Sequence, residues 1–248
     1  MSQILVDRRD RVAVVTVHDP DRRNALNLGL AAELAEAVRA CEADEQVGAL
    51  VVTGTPPAFC AGADLTALGE AREEGLRSIY AGFLAVANCA LPTVAAVNGA
   101  AVGAGLNLAL ACDVRLAGEK ARFDARFLQL GIHPGGGMTW MLQRIVGPQQ
   151  AAAMTLFSRV CDANAALAAG LVLDVADDVV ERAVQLASQA AQAPRELVIA
   201  AKRTMRATAA TVAHADAVEL ELGPQLASID SPAFTERLAA LRRRIGGN

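Results

Sequence analysis

The chain has 248 residues, 53% of them hydrophobic and 20% charged, with a formal net charge of −4. This composition supports a substantial buried core, disfavours nucleic acid as the main partner, and contains no apolar run long enough to cross a bilayer. Five cysteines without a C-x-x-C pair and three histidines without ligand spacing predict reduced, buried thiols and no structural metal. Met1–Arg11 is polar and carries no signal-peptide core, so the expected location is cytoplasmic.

In chain order, Ile4–Asp7 and Arg11–His18 read as strands joined by a polar turn; Val12, Val14 and Val15 are β-branched. Asn27 is placed to cap a helix over Leu28–Ala43, in which Leu30, Leu34, Ala37, Val38 and Cys41 share one face. Ala49–Gly54 reads as a buried strand, Phe59–Leu65 as a loop of small residues at a strand edge, and Leu76–Asn88 as a helix. Thr93–Val97 is a second buried strand, Asn98-Gly99 a turn, and Leu106–Cys112 the start of a buried helix. Val114–Ala117 and Ala121–Phe123 read as strands and Phe127–Gly131 as one helical turn. Met138–Val146, Ala151–Phe157, Ala163–Ala169 and Asp178–Ala193 read as helices, with a strand at Leu171–Val175. From Pro194 the pattern is helical only, over Arg195–Thr208, Thr211–Leu222 and Phe234–Ile245. Strands alternating with helices, then helices alone, predict an α/β core over residues 1–193 and a helical region over 194–248. No internal repeat is present.

The chemistry concentrates in two stretches. Thr93–Val97 feeds a turn rich in small residues, Asn98–Gly105, into a helix. Such a junction points unpaired N–H groups and the positive end of the helix dipole at one spot, which favours negative charge. A phosphate or an oxyanion at a carbonyl would both use it. The glycines do not match G-x-G-x-x-G, and no acidic partner stands at the distance a dinucleotide site requires. Phe59–Leu65 is a second small-residue loop ending an apolar run, so two sets of donors can converge. A thioester oxyanion needs two donors about 3 Å from the developing charge.

Both loops resemble motifs of the crotonase superfamily, the enoyl-CoA hydratase/isomerase family: Ala58-Phe-Cys-Ala-Gly-Ala-Asp-Leu65, and Pro92-Thr-Val-Ala-Ala-Val-Asn-Gly-Ala-Ala-Val-Gly-Ala-Gly105. So do Arg23-Asn-Ala-Leu-Asn27, Cys112-Asp113, Ala117-Gly-Glu-Lys120 and Leu130-Gly-Ile-His-Pro-Gly-Gly-Gly137, in the same order along nearly the whole chain. The resemblance implies a spiral of stacked ββα units with a C-terminal helical trimerisation region, assembled as a homotrimer or hexamer. It implies an acyl-CoA or enoyl-CoA thioester as ligand, CoA being part of the substrate and no separate cofactor being needed. By motif match, the backbone N–H groups of Ala63 and Ala104 would hold the thioester oxygen. Arg22, Arg23, Ala25, Ala61, Gly62, Asp64 and Leu65 would lie along the CoA portion. Phe234 and Arg237 would contact the nucleotide end of CoA from a neighbouring subunit, Arg237 standing where the family has a lysine.

The chain departs from the hydratase pattern at the acid/base positions. The resemblance places Asn107 and Phe127 where a hydratase carries its two glutamates, and Gly135 where some isomerases carry an acidic residue. Asparagine orients a water or donates a hydrogen bond but takes no proton near neutral pH, and phenylalanine only packs. The nearest titratable groups are Asp124, Arg126 and His133. Asp124 and His133 are the acid/base candidates, since a carboxylate can be tuned by its surroundings and histidine ordinarily titrates near neutrality. The expected pocket wall is Thr66–Ala87, aliphatic because aromatic residues are few. The sequence thus predicts either an acyl-CoA enzyme of hydratase/isomerase type with unusual acid/base groups, or a non-catalytic acyl-CoA-binding carrier or regulator.

Overall fold

The structure is a computed structural model and describes residues 2–64 and 72–246. Strands β1 (Gln3–Arg9) and β2 (Val12–His18) form an antiparallel hairpin. Helix α1 (Leu28–Ala43) starts where Asn27 Oδ1 accepts a hydrogen bond from the Leu30 N–H at 2.8 Å, an N-cap that satisfies an otherwise orphaned donor.

Three further units repeat one plan. They are β3 (Ala49–Gly54), β4 (Ala58–Cys60) and α2 (Arg72–Asn88); β5 (Thr93–Val97), β6 (Ala100–Val102) and α3 (Ala104–Ala111); and β7 (Val114–Ala117), β8 (Arg122–Asp124) and α4 (Met138–Thr155). The first strand of each unit joins one sheet and the second strand joins another. Each unit therefore advances both sheets by one parallel neighbour, which is a ββα spiral. The remaining elements are β9 (Cys161–Asp162), antiparallel to β8; α5 (Ala163–Ala168); β10 (Asp174–Val175), parallel to β7; and α6 (Val179–Ala191). The sheets run β1-β2-β3-β5-β7-β10 and β4-β6-β8-β9.

β3 and β5 are buried along their full length, so they read as continuous apolar runs rather than alternating ones. One face of the larger sheet, with Val12, Val14, Val51, Val94 and Leu116, packs on Val179, Ala183 and Ala187 of α6. Burying each of these valines and the leucine is worth about 1.5–3 kcal/mol, which makes this layer a main source of stability. Helices α1 and α2 cross closely enough that a Cβ at Gly82 would sit 3.0 Å from the Ala31 carbonyl oxygen. All five cysteines are buried and none is in a disulfide.

Contacts divide the chain into two compact units, Met1–Ala191 and Gln192–Asn248. The second contains α7 (Arg195–Thr208), α8 (His214–Ile229) and α9 (Pro232–Gly246). No helix among the described residues is long and apolar enough to cross a membrane.

Several boundaries differ from the sequence reading, each for a local reason. The turn at Asn98-Gly99 leads first into β6, and α3 begins at Ala104 rather than Leu106. Phe59 and Cys60 belong to β4, not to the loop that follows. The strand expected at Ala121–Phe123 lies one residue on, because the Ala121 N–H closes a turn onto the Gly118 carbonyl. The strand expected over Leu171–Val175 is reduced to its last two residues, since the Leu171 N–H still bonds the Ala166 carbonyl at the end of α5. Met138–Val146 and Ala151–Phe157 become one run broken at Gly147 (φ 75°, ψ 168°), with Pro148 opening the second part. The helix expected at Thr211 starts at His214, because the Thr211 N–H caps the end of α7 at the Thr208 carbonyl.

Candidate active site

β4 and β6 are parallel neighbours, with Ala58 opposite Ala100 and Cys60 opposite Ala101. Parallel strands end at the same sheet edge, so the segments that leave them, Ala61–Asp64 and Gly103–Ala104, lie side by side. The approach is at backbone distance. A Cβ on Gly105 would overlap the Cys60 carbonyl oxygen and stand 2.7 Å from its carbon, and one on Gly62 would stand 3.1 Å from the Val102 carbonyl oxygen. Gly103, at φ 52° and ψ −114°, makes the sharp reversal from β6 into α3 that a side chain would strain.

Each segment presents an N–H that has no partner among the described residues. Leu26 bridges the first one: its N–H donates to the Gly62 carbonyl and its carbonyl accepts from the Asp64 N–H, both at 2.8 Å. The Ala63 N–H between these bonds faces the opposite way and has no partner among the described residues. Ala104 is the first residue of α3, so its N–H has no partner within the helix; the bond from the Asn107 N–H to the Gly103 carbonyl is the first of the helical ladder.

Ala63 and Ala104 line one cavity of about 740 Å³. Its wall also carries Leu76, Ile79, Tyr80, Phe127, Leu130 and Ile132, so it is largely apolar. Among the described residues no aspartate or glutamate lines it; the polar side chains are Asn107, Arg126, His133 and Tyr80. Of the expected wall Thr66–Ala87, residues 66–71 lie outside the described residues, and Leu76, Ile79 and Tyr80 are on the wall.

The first segment is fixed by Asn24, which is fully buried although polar. Its Nδ2 donates to the carbonyls of Thr55 (2.8 Å) and Ala58 (2.7 Å), and its Oδ1 accepts from the Asp19 N–H (2.9 Å). The Ala61 N–H then bonds the Arg23 carbonyl at 2.9 Å. Arg22–Ala25 and Ala61–Asp64 thus run together, with Arg22 and Arg23 exposed and Ala25 half-buried. These are the residues expected along CoA; Leu65, expected beside them, lies outside the described residues. Asn24→Ala leaves one N–H and two carbonyls without this partner. We expect a loss of about 3 kcal/mol, since each unsatisfied buried polar group costs roughly 1–3 kcal/mol. A lower denaturant midpoint at unchanged slope checks it.

The acid/base candidates fall in different surroundings. Asn107 is buried; its Nδ2 donates to the Gly135 carbonyl at 3.0 Å, and its Oδ1 has no partner among the described residues. Phe127 and His133 are both on the cavity wall. The His133 Nδ1 lies 2.7 Å from the Pro134 carbonyl oxygen. That nitrogen must carry the hydrogen, which leaves Nε2 as the acceptor in the neutral ring. Asp124 is buried and does not line the cavity; its Oδ2 accepts from Arg126 Nε at 2.7 Å and from Nη2, while Oδ1 has no partner among the described residues. Arg126, held in this pair with φ 55°, takes the place on the wall. Cys60, between the two segments, is not a nucleophile: burial pushes its thiol from 9.0 up to about 12, so it stays protonated near neutral pH.

In the second unit, Phe234 and Arg237 lie on the wall of a separate groove of about 390 Å³ among α7, α8 and α9. Arg237 donates to the Gln192 carbonyl at 2.7 Å.

The sequence profile described as Enoyl-CoA hydratase/isomerase matches residues 7–240. The chain belongs to the enoyl-CoA hydratase/isomerase family. It is 56% identical to the probable enoyl-CoA hydratase EchA14 of Mycobacterium tuberculosis, over 97% of this chain and 98% of that one. It is 40% identical to the 2,3-dehydroadipyl-CoA hydratase of Escherichia coli, over 83% of this chain and 82% of that one. Among solved structures, an enoyl-CoA hydratase from Bacillus anthracis superposes with a TM-score of 0.92 at 28% identity, covering 98% of this chain and 96% of that one. This enoyl-CoA hydratase/isomerase family member has the ββα spiral of its relatives and the small-residue segments at the expected place. Tyr80 falls in the stretch expected to form the wall and Arg126 among the titratable groups expected nearby, but neither is singled out by the sequence as a site residue. Tyr80 had a usable signal: it shares a helix face with Leu76, Ile79 and Phe83.

Proposed function

We propose that the protein binds an acyl-CoA or enoyl-CoA thioester with its carbonyl oxygen between the Ala63 and Ala104 N–H groups and turns it over through an enolate-like state. The observation that carries this reading is the pair of backbone N–H groups without a partner among the described residues, brought from two different loops to one largely apolar cavity. Donors already fixed in a water-poor site stabilise charge that develops on oxygen far better than water does. The apolar wall of Leu76, Ile79, Leu130 and Ile132 suits an acyl chain. Arg22–Ala25 and Ala61–Asp64 form the bordering strip along which CoA would lie. Val218, Leu222, Leu226 and Ile229 of α8 are all exposed, which supports assembly through the C-terminal unit into a homotrimer or hexamer.

With Asn107 and Phe127 in place of a carboxylate pair, water addition proceeds without the positioned acid and base that typically contribute 10²–10⁴-fold each. Turnover of crotonyl-CoA, followed by loss of the conjugated-thioester absorbance with binding measured in the same sample, tests the reading. We expect binding together with turnover that is slow but above the uncatalysed rate. Tight binding of crotonyl-CoA and other acyl-CoA thioesters with no turnover of any would favour the carrier function, for which the absence of wall carboxylates among the described residues is the supporting observation. Absence of thioester binding would overturn both.

A further inference from the structure

One cavity group is left over: Tyr80, the only tyrosine of the chain. It sits on α2 one residue after fully buried Ile79, and its ring leans on buried Phe83 with centroids 5.5 Å apart and planes 45° apart. The phenol is therefore held by packing on its ring. Its hydroxyl has no hydrogen-bond partner among the described residues, although the side chain lines the cavity.

The hydroxyl lies against the backbone of Gly135. A Cβ at that position would overlap the Tyr80 hydroxyl oxygen and stand 3.3 Å from Cζ. The place where a residue-135 side chain would begin is taken by an O–H arriving from another element. Gly136 (φ 64°) and Gly137 (φ 83°) have left-handed backbones, but Gly135 does not, so its missing side chain serves space rather than conformation. The same Gly135 accepts the Asn107 amide through its carbonyl, so one residue meets two of the wall's polar side chains.

Resting on the function proposed above, we propose that Tyr80 is the proton donor to the carbon beside the thioester. In that step the O–H bond of Tyr80 breaks and a C–H bond forms at C2 with the electron pair of the enolate double bond. The thioester carbonyl is restored, and the tyrosinate takes a proton from water. In water addition, the attacking water gives its oxygen to C3 and its proton to solvent, so the net gain is one water molecule. The reverse step removes a C2 hydrogen from a saturated thioester and returns one that has exchanged with solvent.

The test is deuterium incorporation at C2 of butyryl-CoA in D2O, read by NMR, alongside the carbonyl stretch of the bound thioester. We expect incorporation by the unaltered protein, and a drop of about 100-fold or more in Tyr80→Phe, with the butyryl-CoA dissociation constant within about threefold and the carbonyl shift retained. Gly135→Ala should lose incorporation in the same way, since the new methyl displaces the hydroxyl. A Tyr80→Phe protein that exchanges at the original rate overturns the proposal. So does an unaltered protein that shifts the carbonyl without exchange, or a loss in Tyr80→Phe that lies wholly in affinity. An unshifted carbonyl in the unaltered protein overturns instead the function on which this proposal rests.

Discussion

Gly105→Ala should remove both stability and activity. The new Cβ has nowhere to go: it meets the Cys60 carbonyl group, which is backbone and cannot swing aside. Either β4 or the first turn of α3 must shift, and both are buried. Overpacking of this kind costs about 1–3 kcal/mol and more where main chain is displaced. We expect a loss near or above the upper end of that range. Because the same shift moves Ala63 or Ala104, kcat/KM should fall by more than stability alone explains. Thermal unfolding, together with turnover measured well below the new midpoint, separates the two effects. A variant as stable and active as the parent would mean that the two segments do not touch as described.

The second large effect is expected for Ala104→Pro. Proline is compatible with the first position of a helix, where the lost N–H has no helical partner. The substitution thus deletes the donor assigned to the thioester oxygen while leaving the α3 ladder, which starts with the Asn107 N–H, in place. Removing one donor of an oxyanion site typically costs about 10²–10³-fold in kcat, or roughly 3–4 kcal/mol of transition-state stabilisation. We expect such a fall in turnover of crotonyl-CoA, with the secondary structure unchanged by circular dichroism. The carbonyl stretch of bound butyryl-CoA should move back toward its value in water. An unchanged stretch in this variant would take Ala104 out of the carbonyl site.

Most of the ββα plan was legible because parallel, doubly buried strands such as Ala49–Gly54 and Thr93–Val97 leave unbroken apolar runs, and because Asn27 marks a helix start chemically. β6, β9 and β10 were missed or misplaced because two or three residues give no period to read; pairing with a neighbouring strand decides them. In the site, the small-residue loops signalled a close backbone approach, while the choice of Ala63 and Ala104 within them came from the resemblance to the family's motifs. The surroundings of Asp124 were not legible. Whether its carboxylate meets the cavity or a guanidinium depends on the left-handed backbone of Arg126, two residues on, which no local pattern announces. Tyr80 was passed over because it reads as one more member of an apolar helix face. Its hydroxyl gains meaning only against Gly135, 55 positions later in the chain.

The two N–H groups proposed to hold the thioester oxygen belong to the main chain at Ala63 and Ala104, and this has a consequence for divergence. Eighteen of the nineteen other residue types keep the donor at either position, since only proline lacks the N–H. Substitution of side chains on the cavity wall can therefore change its acid and base groups one residue at a time without removing the main-chain donors. A lineage that keeps this backbone keeps the two donors proposed here to bind the thioester oxygen. New chemistry then needs one well-placed side chain from any neighbouring wall, and a helix facing the cavity is a short route to supplying it.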